Sequence, residues 1–330
     1  MRSVVRSWLP IASLASLFAP LAFVSSSAVA APPDARTWLT RIHTAAYERN
    51  YQGTLVVSAN GVVSSSRIAH FAVGDQSYER VEALDGRQQR VYRVNDSVHT
   101  VWPQAGVAIV ENRPAASRLP GSRRSVDPRA LDFYDARLEG VERVAGRDAQ
   151  VLLLQPRDGW RYAQRLWADK ATGLMLRADI VGPNRTVLES TAFSAVELGV
   201  RPQPESVTQP LRKLEGYRVV RAQQSPTELE AEGWQLEHPV TGFRLVGAVK
   251  RPLEAAAKDE VLQAVFTDGL THVSIFVEPL EARRDYADLA GQVGATGTLR
   301  QRRGLHWITV MGDVPPLTLK AFAEALQRRR

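Results

Sequence analysis

No cysteine occurs anywhere in the 330 residues. That excludes disulfides, thiolate metal sites and cysteine nucleophiles, and it leaves stability to packing and hydrogen bonds. It does not assign a compartment. His43, His70, His99, His238, His272 and His306 are scattered, with no paired spacing that would hold a metal. The G-x-S-x-G of a nucleophile elbow is missing. Gly291, Gly294 and Gly297 recur every three residues but fit neither a P-loop nor a dinucleotide fingerprint, and they read as turn glycines. There is no internal repeat, no low-complexity tract and no nucleic-acid motif. Beyond the N-terminus no apolar run is long enough to cross a bilayer. These absences leave catalytic residues, cofactors and metals unassigned. They give an enzymatic reading no support.

What is present begins with an export signal. Arg2 and Arg6 precede an apolar run from Trp8 to about Val24, and Ala28-Val29-Ala30 supplies small residues for cleavage before Ala31. The expected mature protein is exported and carries no transmembrane segment. The formal charge is +7; losing the two arginines of residues 1–30, which contain no acid, lowers it to +5. That balance suits an acidic partner or anionic headgroups, and nucleic acid is not expected outside the cytoplasm. The length implies two domains, and 44% hydrophobic with 23% charged residues is ordinary for a globular chain.

A helix capped by Asp34 is predicted first, with Trp38, Leu39, Ile42, Ala45 and Ala46 on one stripe and Asn50 ending it. Short strands follow at Tyr51–Ala59, Val62–Val73, Tyr78–Leu84, Arg87–Val94, Ser97–Trp102 and Val107–Glu111, joined by turns such as Asn60-Gly61 and Asp85-Gly86. Residues 112–129 hold three prolines and five arginines without periodicity, and read as a long basic loop. A solvated connection is the plain reading, and a lid beside the sheet is the sharper one.

The stretch that organises the chain runs from Gly146 to Phe193. A strand near residues 135–143 leads into it, and Val151–Leu154 is apolar on both sides. Asp169-Lys170-Ala171-Thr172-Gly173 makes a hairpin turn. After it Leu174, Leu176, Ala178 and Ile180 share a face opposite Met175, Arg177, Asp179 and Val181. Roughly eleven strands joined by hairpins make a curved sheet or barrel. Gly199–Pro204, with Pro210 behind it, reads as a linker. The second domain is expected to be α+β, starting with a strand at Tyr217–Ala222. Gly233-Trp234 and Gly242-Phe243 mark further strand edges, Val261–Phe266 and Leu270–Val277 form a hairpin, and Leu305–Met311 is another strand. A last helix is capped by Thr318 and buries Leu319, Phe322, Ala323 and Leu326.

Two surfaces are candidates for binding. Leu174, Leu176, Ile180, Trp167 and Tyr162 are candidate lipid-cavity or sheet-face residues, since a curved sheet encloses a cavity when its wall stays unfilled. Arg161 and Arg165, interleaved with Trp160, Tyr162 and Trp167, are candidate partner or anion contacts. Arg300, Arg302 and Arg303 form a second basic cluster.

Several segments also carry a resemblance. Arg143-Val144-Ala145-Gly146-Arg147, Arg161-Tyr162 with Arg165-Leu166-Trp167-Ala168-Asp169, Asn50-Tyr51-Gln52-Gly53-Thr54, Thr267-Asp268-Gly269-Leu270 and Gly312-Asp313-Val314-Pro315 occur in an order that resembles the MucB/RseB family. The resemblance covers nearly all of the mature chain. It implies an unclosed antiparallel β-barrel with packed helices, similar to the carriers LolA and LolB, over residues 31–199. A linker at 200–210 and a smaller α+β domain with an antiparallel sheet at 211–330 complete it. It further implies a non-enzymatic periplasmic regulator of the sigma-E envelope-stress response. Such a protein binds the periplasmic domain of a membrane-spanning anti-sigma factor and protects it from proteolysis until lipid or lipopolysaccharide relieves the block. A lipid or lipoprotein carrier is the alternative, and a carrier needs no second domain. Self-association is left open.

Overall fold

The computed structural model describes residues 34–112, 128–221, 224–252, 260–283 and 286–329. Helix α1 (Ala35–Glu48) starts where Asp34 Oδ1 accepts from the Thr37 backbone N–H at 2.8 Å, and it buries the five predicted stripe residues.

A large sheet follows. Its strands are β1 (Tyr51–Ala59), β2 (Val62–Val73), β3 (Gln76–Ala83), β4 (Arg90–Val94), β5 (Ser97–Trp102), β6 (Val107–Asn112), β7 (Tyr134–Val144), β8 (Arg147–Pro156), β9 (Ala163–Asp169), β10 (Met175–Val181) and β11 (Val187–Leu198). Within β1–β6 and within β7–β11 consecutive strands pair antiparallel as hairpins, and β1 joins the two runs by pairing antiparallel with β11. Asn60 and Gly61, with φ of 50° and 76°, make the first such turn. The strand order β12-β6-β5-β4-β3-β2-β1-β11-β10-β9-β8-β7 is unclosed, with β12 (Arg218–Arg221) and β7 as its edges. The predicted basic loop at 112–129 falls almost wholly outside the described residues.

The expected linker is structured. Residues Glu205–Leu211 form a short helix, α2, with Val207 fully buried against Ala69, Phe71, Tyr92 and Ala108 of the large sheet. The strand predicted at Tyr217–Ala222 exists but joins the large sheet: β12 pairs parallel with β6, Arg218 opposite Val107. Apolar anchors at Leu214, Tyr217 and Val219 pack on the same cluster, which is why the chain returns to this sheet before leaving it.

A second, seven-stranded sheet follows, ordered β13-β15-β16-β17-β20-β19-β18 and antiparallel throughout. Its members are β13 (Ser225–Thr227), β15 (Arg244–Pro252), β16 (Glu260–Thr267), β17 (His272–Pro279), β18 (Leu289–Val293), β19 (Thr296–Arg303) and β20 (His306–Gly312). Helix α3 (Pro316–Ala325) covers one face through Leu319 and Phe322. The short pair β14 (Trp234–Leu236) and β21 (Leu326–Arg328) closes the end of that layer. Thr318 is not the predicted cap. It sits inside α3, fully buried, and its hydroxyl donates to the Trp160 carbonyl at 2.8 Å. Gly294 occupies a turn as expected, whereas Gly291 and Gly297 lie within β18 and β19.

Candidate partner-binding surface and the joint between the sheets

Arg161 lies just before β9, and its side chain points inward. Its Nε donates to Asp268 Oδ2 at 2.7 Å, one terminal nitrogen donates to Asp158 Oδ2, and the other reaches the Thr241 carbonyl at 2.7 Å. The guanidinium sits 4.6 Å from the centroid of the Phe133 ring and 4.9 Å from that of Phe243. Gly242 permits this approach, since a Cβ there would overlap the guanidinium and the Phe133 ring.

Asp268 is equally satisfied. Its Oδ1 accepts from the backbone of Leu270 and Thr271 at 2.9 Å each, and its Oδ2 also accepts from the Tyr134 hydroxyl at 3.2 Å. Burial, with the Asp268 charge added, pushes that hydroxyl well above its usual range. Taking two charges out of water is tolerated here because both are fully hydrogen-bonded. By sequence Arg161 is a candidate partner or anion contact. It is instead the internal tie between the two sheets. Leu270, from the turn between β16 and β17, extends the tie by packing into the α1 cluster with Trp38 and Leu166.

Trp167, Leu174 and Leu176 do not line an empty wall. They are buried together with Tyr51, Ile68, Val151 and Phe193. Arg165 and Arg177 stack on the Trp167 ring, and the indole N–H donates to Glu142 Oε2 at 2.8 Å. That hydrogen bond, with the Arg165 charge, holds the Glu142 carboxyl below its ordinary value. Arg165 is engaged as well, pairing with Glu139 and Glu142 at 2.8 Å each. Ile180 and Tyr162 belong to a separate small cluster with Ala295, at the seam where Gln292 donates to the Tyr162 hydroxyl.

The second basic cluster divides. Strand alternation places Arg300 and Arg302 on one face of β19 and Arg303 on the other. Arg303 donates to the Leu326 and Glu324 carbonyls at the end of α3, where a cation complements the helix dipole. Arg300 stacks on Tyr286 at 3.9 Å and donates to the Ala287 carbonyl, while Arg302 donates to the Gly304 carbonyl. Among the described residues neither Arg300 nor Arg302 has a carboxylate at salt-bridge distance.

Sequence reasoning missed a cavity of about 260 Å³ between β4, β5 and α2, lined by Arg90, Tyr92, Val101, Lys213, Leu214 and Tyr217. It forms only because α2 folds back, which the proline-rich composition concealed. The contact of Asp268 with Arg161 was also missed, Asp268 carrying no sequence signal beyond its place in the family segment Thr267-Asp268-Gly269-Leu270.

Little here resembles reaction machinery. Ser97 Oγ and His99 Nε2 are 3.1 Å apart, but His99 Nδ1 is buried without a hydrogen-bond partner, so no carboxylate orients the ring as a triad requires. Among the described residues no His, Asp or Glu group is arranged to hold a metal, and no helix is long and apolar enough to cross a membrane. The arrangement offers binding faces and a rigid joint.

Comparison with known proteins agrees in extent with this two-sheet arrangement. Residues 34–211 match the MucB/RseB N-terminal domain, and residues 228–327 match the MucB/RseB C-terminal domain. The sigma factor AlgU regulatory protein MucB of Pseudomonas aeruginosa is 31% identical over 302 residues, covering 89% of this chain and 91% of that protein. The sigma-E factor regulatory protein RseB of Haemophilus influenzae is 25% identical, covering 93% and 95%. Among solved structures, the Pseudomonas aeruginosa MucA/MucB complex matches with a TM-score of 0.68 at 29% identity, covering 90% of this chain and 99% of the matched one. The chain therefore belongs to the MucB/RseB family.

Proposed function

We propose that this protein is exported to the periplasm, binds the periplasmic domain of a membrane-spanning anti-sigma factor and shields it from regulated proteolysis. The observation that carries this reading is the match, across both sheets, to MucB solved with the periplasmic part of MucA. Residues 1–30 act as the cleaved signal peptide. Residues 31–199 and 211–330 are the two functional regions, and the chain performs no catalysis, in keeping with relatives that are named as regulatory proteins.

Lipid or lipopolysaccharide relieves the block. A ligand achieves this only by binding the released form more tightly than the complex. The cavity beside Arg90 and Lys213 offers cations for an anionic headgroup. The packing of Trp167, Leu174 and Leu176 into a buried cluster supports the regulator reading over the carrier alternative.

The test adds protein beginning at Ala31 to the anti-sigma factor's periplasmic segment and its first protease. Slower cleavage is the expected result. Unchanged cleavage in the presence of folded protein overturns the reading.

A further inference from the structure

The two larger sheets have four edges, and three of them are defended. Strand β7 carries Asp135, Arg137, Glu139, Glu142 and Arg143 and is bulged between Leu138 and Gly140. Strand β12 is four residues long and begins and ends with arginine. Strand β13 is three residues long and contains Pro226. Charge, shortness, proline and bulges are the usual means of keeping an edge from pairing with another chain.

Strand β18 has none of the charge, proline or bulge. Its sequence, Leu-Ala-Gly-Gln-Val, pairs with β19 without a register shift, and all five residues are exposed. Leu289 and Val293 are 44% and 70% exposed. Asn60 donates to the Gln292 carbonyl at 3.5 Å, which sets the tip of the β1–β2 hairpin beside the end of this strand. That tip presents Val62 and Val63, 69% and 59% exposed. Among the described residues the edge is therefore reached only by Asn60 at Gln292, and it continues into an apolar patch at the seam of the two sheets.

The register fixes which groups are available. Counting back from the two-residue turn at Gly294-Ala295, Val293, Gly291 and Leu289 exchange backbone hydrogen bonds with β19, so Ala290 and Gln292 direct theirs outward. On the adjoining strand stand Arg300 and Arg302; the Arg302 backbone N–H donates to Asp288 Oδ1 at 3.3 Å, and neither guanidinium has a carboxylate at salt-bridge distance among the described residues. Leu289 stands opposite Arg300, and Arg302 lies past the last paired residue of β18.

We propose that β18 is the docking edge for an extended segment of the partner, one with acidic residues placed to reach Arg300 and Arg302. Main-chain bonds to Ala290 and to the Gln292 N–H supply the pairing, the exposed valines supply apolar contact, and the two arginines select for acidic side chains; the Gln292 carbonyl already accepts from Asn60. This rests on the reading of the chain as a binder of an anti-sigma factor's periplasmic segment.

The experiment measures affinity for that segment with the full chain from Ala31. Ala290→Pro removes an outward N–H and no bond to β19, and is expected to weaken binding at least about ten-fold without lowering the melting temperature. Arg300→Glu with Arg302→Glu, which leaves the backbone untouched, is expected to weaken it similarly and to flatten its salt dependence. Hydrogen exchange at the Ala290 and Gln292 amides should slow only in the complex. Wild-type affinity in both variants, with unprotected amides, overturns the docking edge while the regulator reading stands. Loss of self-association alone would assign the edge to a second copy of the chain and overturns it too. Failure of the unaltered protein to bind the segment removes the regulator reading and this proposal together.

Discussion

Arg161 and Asp268, 107 residues apart in sequence, meet at 2.7 Å with neither side chain reached by solvent. Removing one partner strands a buried charge, so Arg161→Leu or Asp268→Asn is expected to cost about 3–5 kcal/mol. Replacing both, as Arg161→Leu with Asp268→Asn, should cost clearly less than the two single losses added. Urea unfolding of the four proteins checks this. Strict additivity would mean that the pair is not coupled.

Gly242 has φ of +83° and lies against the Arg161 guanidinium, whereas Gly61, at φ +76°, has open space around it. Gly61→Ala should cost only the left-handed backbone penalty, about 1–2 kcal/mol. Gly242→Ala should cost more, because the new methyl displaces the guanidinium from its three acceptors. Equal shifts in melting temperature for the two variants would contradict this close fit.

Thr318 ties α3 to the connection between β8 and β9 by one hydrogen bond to the Trp160 carbonyl. Thr318→Val keeps the shape and leaves that acceptor unsatisfied, at a cost of about 1–3 kcal/mol, while Thr318→Ser should recover most of it. Denaturation midpoints of the three proteins distinguish the lost bond from lost packing.

Asp169 provides a pH-dependent contribution. Burial acts to raise its pKa, but hydrogen bonds from Arg147 and Thr172 outweigh it and hold the carboxyl below the usual 3.8. A depressed carboxylate stabilises the fold above its unfolded value, and the contribution is lost as pH falls through the folded one. Asp169→Asn should therefore destabilise at pH 7 and approach the unaltered protein in stability below about pH 4. A difference independent of pH would reject the charge as the cause.

Much of the large sheet was legible because its signals are local. The predicted bounds of β1, β2 and β5 coincide with those observed, since alternation and turn residues settle both ends. Strands β18 and β19 were not predicted: Leu289–Arg303 is rich in glycine and polar residues, and it is extended through the pairing of β19 with β20 and of β18 with β19. Helix α2 was hidden by Pro204 and Pro210, which suggest a linker until Val207 finds its buried place. The candidate surface was legible in residue type and not in direction. Nothing near Arg161 in sequence reveals that Asp268 awaits it, and nothing in Arg300-Gln301-Arg302-Arg303 shows that the last arginine turns toward a helix end.

The parallel seating of Arg218–Arg221 beside Val107–Val110 decides where the molecule tolerates cutting. A fragment stopped at Leu198 or Leu211 would strip β6 of its neighbour and bare Phe71 and Tyr92 by removing Tyr217 and Val219, so its failure to bind would report a damaged first sheet. Scission after Arg221 spares that ladder, and a comparison of halves is informative only from there.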